Sequence, residues 1–547
     1  MRKRNLRNPR NSRNDRNDRN NERGIALLIV LMALFLVAAV GMGMIYMSNT
    51  ETTINTNYRD TQLAFFSMRG GLEEMRDRMR TSAPNPITLP TAMPSATAGS
   101  IVYITNPGAS ETVDPTLFAG NNYFDDEFCH ERFAGSGVTY RPQGTPCGSS
   151  DAPPSGGVTT VASVMPYTGT SSSLKYKWVR LTLKQNGTFP SALVDSTQST
   201  SSGLASQVCW DSLNSKEVVA SAIGYANCTA ASAAGLMIAP IYIVTALAYT
   251  PSGSRRVGQY EVAAFSVNPP YTALGVDGAG ANFNPTSSNN FFVHGDDTGV
   301  TGWTDYGGPV GACTPTGPAV VPAVAVANAT DQAADIIAVQ GPPNRQDKYT
   351  GCLSTASCTA TPGPLYGYPS IVDGSAAGTN QLTGLWSSPA LLNKMVASLA
   401  NGADVVIPGC SIGGTACSGT APYGTSAQPQ ITFANGDFDF GNNSGAGVLV
   451  VTGTLSMHGG SSFNGLILVI GQGIISVGGG GSGQINGTLF LADTNSHTSP
   501  YAQLATLGPP GYSWGGGGTN GIQYNSCWAG IGNKLHYMVI ASREEMY

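Results

Sequence analysis

One unbroken apolar run dominates the hydropathy pattern. From Ile25 to Met47 the chain carries no charge, and its only side-chain hydroxyl is on Tyr46. A helix needs roughly 20 apolar residues to cross a bilayer, so this run is long enough. Beyond Ser48-Asn49 the pattern turns amphipathic and continues to about Arg80, with Ile54, Tyr58, Phe65, Met68, Leu72, Met75 and Met79 in steps of three, four and seven. Such spacing gathers them on one helix face, which normally packs on a sheet of the same chain. The charges of Glu73, Glu74, Arg76, Asp77, Arg78 and Arg80 fall off that stripe, and Gly70-Gly71 offers a place to bend.

After a Pro/Ala/Ser/Thr-rich linker (82–100) the period changes to two. Short strands are expected at 101–104 and at 176–183, where Tyr176, Trp178, Arg180 and Thr182 point one way and Lys177, Val179, Leu181 and Leu183 the other. Residues 241–249, the turn Pro251-Ser252-Gly253-Ser254 and residues 257–267 make the clearest hairpin. A long amphipathic helix followed by antiparallel strands implies an α+β unit closing near Pro269-Pro270. Residues 271–425 are Gly/Pro/Cys-rich and irregular, apart from a helix at 389–399 and a strand at 404–407.

Residues 432–493 show a ladder. Gly447-Val-Leu-Val-Val, Gly465-Leu-Ile-Leu-Val and Gly487-Thr-Leu-Phe-Leu align on glycine, and Phe438/Phe440 align with Leu455/Met457 and Ile475/Val477. Repeats of this length fit stacked rungs, each hiding the apolar face of the next. The expectation is a Gly-rich β-solenoid-like domain over 426–547, with an ordinary β-sandwich as the alternative and the apolar strand at 537–541 as a cap.

Composition sharpens the picture. Only 11% of the 547 residues are charged, whereas Gly (69) and Pro (34) abound, which suits strands and long exposed loops rather than a helical cytosolic enzyme. The first 23 residues repeat Arg-Asn-x and hold nine basic against three acidic groups, leaving −11 for the rest of a chain whose total is −5. With almost nothing apolar to bury, that leader (1–24) is expected to be disordered. Its arginines abut the apolar helix, so a cytoplasmic topology signal accounts for them better than nucleic-acid binding does.

Ten cysteines in an exported chain point to disulfides. Sequence neighbours suggest Cys129 with Cys147, Cys209 with Cys228, Cys352 with Cys358 and Cys410 with Cys417, leaving Cys313 and Cys527 by elimination.

Other chemistry finds little support. Gly409-Cys410-Ser411-Ile412-Gly413 matches G-x-S-x-G, but Gly413-Gly414-Thr415-Ala416-Cys417 cannot supply the helix a nucleophile elbow needs. Asp125 to Glu131 and His294-Gly295-Asp296-Asp297 cluster acids with a histidine, yet lack EF-hand or zincin spacing and read as solvated loop charge. His458, His497 and His536 stand alone, and the runs Gly478–Gly481 and Gly515–Gly518 open no helix that would bind phosphate. No catalytic residue, cofactor or metal is assigned, and no enzymatic activity is expected.

Arg23-Gly24-Ile25-Ala26-Leu27-Leu28-Ile29-Val30-Leu31 and Tyr58-Arg59-Asp60-Thr61-Gln62-Leu63-Ala64-Phe65 resemble the N-terminus of PilX-type minor pilins of type IV pili. The specific match covers about a tenth of the chain, and the Gly-laddered part is similar to regions in large members of that group. The resemblance implies cleavage after Gly24 by a prepilin peptidase, methylation of the new N-terminal Ile25, and passage from the inner membrane (N-terminus cytoplasmic) into an extracellular pilus. It implies other pilin subunits and the assembly machinery as partners, and a pilin-like antiparallel sheet against the helix. One departure stands out: Ile29 occupies the fifth mature position, where major pilins carry glutamate, which fits a low-copy subunit near the tip. The other readings are an adhesin for a glycan or surface mounted on a pilin stalk, and a large pseudopilin of a type II secretion system.

Overall fold

The computed structural model describes residues 15–80, 83–108, 110–164, 167, 175–267, 269–297, 320–353, 368–375, 382–515, 518, 520–531 and 535–545. A single helix, α1, runs over Asp15–Arg78 without a break, 64 residues or roughly 96 Å at 1.5 Å each. It starts inside the leader expected to be disordered. Helix propagates easily from a formed apolar segment. It also passes straight through Gly70-Gly71. Gly71 serves close approach instead: a Cβ there would meet the Tyr176 ring and Val179 Cγ2 at 2.9 Å.

The C-terminal part of α1 packs on an antiparallel sheet. Its strands are β1 (Ile101–Thr105), β2 (Val158–Ala162), β3 (Tyr176–Leu183), β4 (Val208–Asp211), β5 (Lys216–Val219), β6 (Ile238–Tyr249) and β7 (Arg255–Ala263). The order β2-β1-β3-β6-β7 is antiparallel except for β1–β2, and the N-terminal end of β6 also carries β4 and β5. Met68, Leu72, Met75 and Met79 are buried against Val102, Ile104, Val179, Leu181 and Val244. Each such side chain contributes about 1.5–3 kcal/mol when fully buried. Ile54 and Tyr58, read as part of the same stripe, are exposed, because α1 reaches the sheet only further on. The expected alternation in β3 also fails at one point. A register shift between Tyr176 and Trp178 turns Tyr176 to the helix side with Val179, Leu181 and Leu183.

The second body is built from parallel strands: β8 (Leu274–Asp277), β9 (Asn282–Asn284), β10 (Phe292–His294), β11 (Val324–Val326), β12 (Tyr349–Thr350), β13 (Ile371–Asp373), β14 (Val405–Ile407), β15 (Gln430–Ala434), β16 (Phe438–Gly441), β17 (Ser444–Val451), β18 (Thr454–His458), β19 (Ser462–Gly471), β20 (Ile474–Gly478), β21 (Gln484–Asn495), β22 (Gln503–Gly508), β23 (Gly511–Trp514) and β24 (Gly521–Gln523). The large sheet runs β14-β15-β17-β19-β21, then divides: the start of β21 pairs β24, β10 and β12 in turn, and its end pairs β8, β11 and β13. Among the described strands, only β22 joins it antiparallel. The smaller sheet, β16-β18-β20-β23-β9, is parallel throughout.

Burial explains the two sequence patterns. Leu449, Val451, Ile467 and Val469 point at the smaller sheet, while Val448, Val450, Leu466 and Leu468 pack outward on helix Pro389–Asn401, Trp386 and Trp528. The large sheet is covered on both faces and therefore reads as continuous apolar runs. The smaller one is covered on one face, and its strands alternate, with Leu455 and Met457 buried and Thr454 and His458 turned out.

Two expectations about the chain's later half need correction. Residues 271–425 are not merely irregular, since β8 and β10 to β14 extend the large sheet and β9 the smaller one; strands of two to four residues leave too short a pattern to read. The last strand, Met538–Glu545, caps no stack. It returns to the first sheet and pairs antiparallel with β7. The second body is thus an insertion between two neighbouring strands of the first.

Candidate functional site

Along α1 the large apolar side chains between Ile25 and Met47 are all exposed, Ile25 at 62% and Ile29 at 60%. The helix is long and apolar enough to cross a membrane. Gly24 and Ile25 lie within its continuous helical course.

Where α1 meets the sheet, the charges that lie off its apolar stripe are not all exposed. Glu74, Arg78 and Arg80 are buried. The Glu74 carboxylate accepts from Arg78 Nη1 at 3.0 Å, from Ser163 Oγ at 2.9 Å and from the Tyr176 hydroxyl. Burial and the Glu74 charge push the Tyr176 hydroxyl's pKa up, so it stays a donor. Arg78 further donates to the Asn85 and Ala162 carbonyls, and Arg80 pairs with Asp77 at 2.6 Å and donates to the Ala427 carbonyl of the second body. The helix is therefore locked in rotation and height by fixed polar partners as well as by packing. The i,i+4 spacing of Glu74 and Arg78 was the available signal.

The far face of the first sheet hides a second cluster. Arg180, fully buried, donates Nη1 to Asp125 and Nη2 to Glu131 at 2.6 Å, and Tyr103 and Gln259 add donors to Asp125 and Glu131. Asp125 also accepts from the Phe128 amide. Asp125 and Glu131, expected in a solvated loop, are instead the hydrogen-bonding partners of a buried arginine, and Glu127 is buried and accepts from Gln143. Burial pushes Glu131 up to about 8 despite the pull of Arg180.

Three disulfides brace these regions: Cys129–Cys147, Cys209–Cys228 and Cys410–Cys417. Cys352 and Cys527 are also disulfide-bonded. Cys313 and Cys358 lie outside the described residues. Cys129, His130 and Cys147 converge closely enough for a metal site, but both sulfurs are committed to each other and offer no thiolate.

The remaining candidate motifs fall to structural roles. Ser411 sits in the disulfide-closed turn after β14, where its carbonyl accepts from the Asp437 amide and Gly413 N donates to Asp437 Oδ2 at 2.8 Å. No helix follows it. His294, Asp296 and Asp297 are buried rather than solvated, and Asp297 accepts from the Ser526 amide at 2.9 Å. Burial pushes His294 down to about 4, so it is neutral at pH 7. The three histidines expected to stand alone each face an aspartate: His458 with Asp439, His497 with Asp493 and His536 with Asp77, at 3.5, 2.9 and 3.7 Å.

What the arrangement defines is an α+β chain carrying one exposed, membrane-length helix that is rigidly continuous with a disulfide-braced head. No known protein family, curated protein or solved structure matches it.

Proposed function

We propose that this chain is a minor pilin: inserted in the inner membrane by its N-terminal helix, cut between Gly24 and Ile25, and carried into or to the tip of a type IV pilus. The observation that carries the reading is α1 itself. Between Ile25 and Met47 its large apolar side chains are exposed, while its second half is fixed to an antiparallel sheet by Met68, Leu72, Met75 and the Glu74–Arg78 pair. A subunit built this way can exchange lipid for neighbouring helices without rearranging its head. Ile29 leaves no carboxylate in that apolar half to be neutralised by a neighbour.

The second body we read as a β-solenoid. Successive strands alternate between the two parallel sheets (β15 with β16, β17 with β18, β19 with β20), and Gly447, Gly465 and Gly487 stand in register. A bulky coil of this kind suits a subunit present once rather than at every step of a fibre.

Mass spectrometry of the mature N-terminus is the decisive measurement. The expected species begins with N-methyl-isoleucine at Ile25; a mature chain still bearing the arginine-rich leader ends the proposal.

A further inference from the structure

On the loop side of the first sheet lies an open cleft of about 760 Å³, lined by Phe118, Asn122, Asp126, Gln143, Tyr249 and Arg255 among others. Its volume falls in the range of small-molecule sites, roughly 300–1,000 Å³. We propose that this cleft binds a neutral oligosaccharide.

Both kinds of contact a sugar needs are present. Phe118 is 43% exposed, although a ring of that size is ordinarily hidden, and it stands edge-on to buried Phe124 at 5.1 Å. Tyr249, half-buried on the cleft wall, is held edge-on by Tyr123 at 5.8 Å. Two such braced rings provide apolar faces for the C–H face of a pyranose, and aromatic side chains do so with little conformational freedom left to lose. Around them stand groups that pair with hydroxyls. The Asp126 carboxylate accepts, the Arg255 guanidinium donates, and the exposed amides of Asn122 and Gln143 can do both.

Charge selects the sugar class. Asp126 and Arg255 are paired with each other, so the cleft presents hydrogen-bonding groups with little net charge. An anionic sugar or phosphate would meet the Asp126 carboxylate as closely as the guanidinium. A fully apolar ligand would strip water from Asp126, Arg255 and the amides without replacing it. The floor is stiff as well: Cys147 is joined to Cys129, and beneath it Asp125 and Glu131 are tied to Arg180. A preformed site loses little in ordering when it binds.

The inference does not rest on entry into a filament. A retained leader with intact sugar binding would sink only the pilus reading, and a methylated Ile25 without sugar binding would sink only this one. The test uses the full chain in a detergent without a sugar headgroup, probed on an array of neutral and sialylated oligosaccharides and then titrated with the best neutral one. Neutral oligosaccharides should bind, and Phe118→Ala and Asn122→Ala should each weaken binding about tenfold, the loss of one good contact. Thermal unfolding should stay unchanged, and Leu236→Ala, at an exposed position outside the cleft, should bind as the parent does. If Phe118→Ala lowers the melting temperature, the Asn122 variant decides. Absence of binding at millimolar sugar, binding of sialylated sugars alone, binding indifferent to both variants, or capture of peptides but no sugar would each overturn the proposal.

Discussion

In the first body, an antiparallel sheet packs α1 on one face and long loops on the other, and buried charge holds the loops down: Arg180 is enclosed with Asp125 and Glu131. In the parallel body the repeated strands β17 and β19 carry no charged residue at all, stacking Val448 to Val451 on Leu466 to Val469 and these on Thr488 to Leu491. The difference follows from repetition. A stack whose strands repeat can reuse one apolar solution, and its backbone groups pair from rung to rung. A sheet whose second face is covered by irregular loop has backbone and side-chain polar groups that only particular partners satisfy. One body should therefore fail at its backbone contacts and the other at its charges.

The largest effect is expected at the glycine column. Gly447, Gly465 and Gly487 have φ of +125°, +148° and +148°, and a Cβ on Gly465 would meet the Gly447 carbonyl oxygen at 1.9 Å. The nearest atoms are all Gly447 backbone, so nothing flexible can yield. Gly465→Val should cost more than about 4 kcal/mol. Gly478→Ala, with nothing within 4 Å, should stay within about 0.5 kcal/mol. Chemical denaturation of both variants checks this, and equal stability would mean that the column does not set the stack.

That column was also what the sequence displayed most clearly. Three glycines ahead of three apolar runs predicted the register Gly447–Gly465–Gly487 because a repeated backbone contact demands the same residue each time. The hairpin expected at 241–249 and 257–267 is formed by β6 and β7, with β7 ending at Ala263, and α1 ends two residues before the expected Arg80. What stayed hidden was decided by contacts far along the chain. Strand Met538–Glu545 has the pattern of any short strand, and only its β7 partner, some 280 residues away, tells it where to go. Glu74 and Asp125 look like surface charges until Tyr176 and Arg180 are placed beside them. The sugar cleft draws on residues 118 to 147 together with Tyr249 and Arg255, so no local motif marks it.

Next in size is removal of the arginine. Arg180→Met deletes the shared partner of two buried carboxylates, and a buried charge stripped of its partner destabilises by about 3–5 kcal/mol. The variant should unfold at lower denaturant at neutral pH, with part of the loss recovered at pH 4, where both carboxylates protonate. A loss that did not change with pH would mean that packing rather than charge holds this face.

The smallest effect separates the two carboxylates. Burial pushes Asp125 up as well, but Arg180, Tyr103 and the Phe128 amide all donate to it and favour its ionised form, whereas Glu131 is pushed up to about 8 by burial. A glutamate whose folded pKa is raised binds its proton more tightly in the folded chain than in the unfolded one. Its contribution is complete below the ordinary glutamate range and drains away as pH rises toward about 8. Glu131→Gln keeps the shape of the neutral form and removes that titration. Its stability should match the parent's at pH 4.5 to within about 1 kcal/mol and should not share the parent's decline between pH 5 and 8. Denaturant midpoints across that range decide the matter: parallel profiles for parent and variant would place the proton elsewhere and leave Arg180 facing two ionised carboxylates.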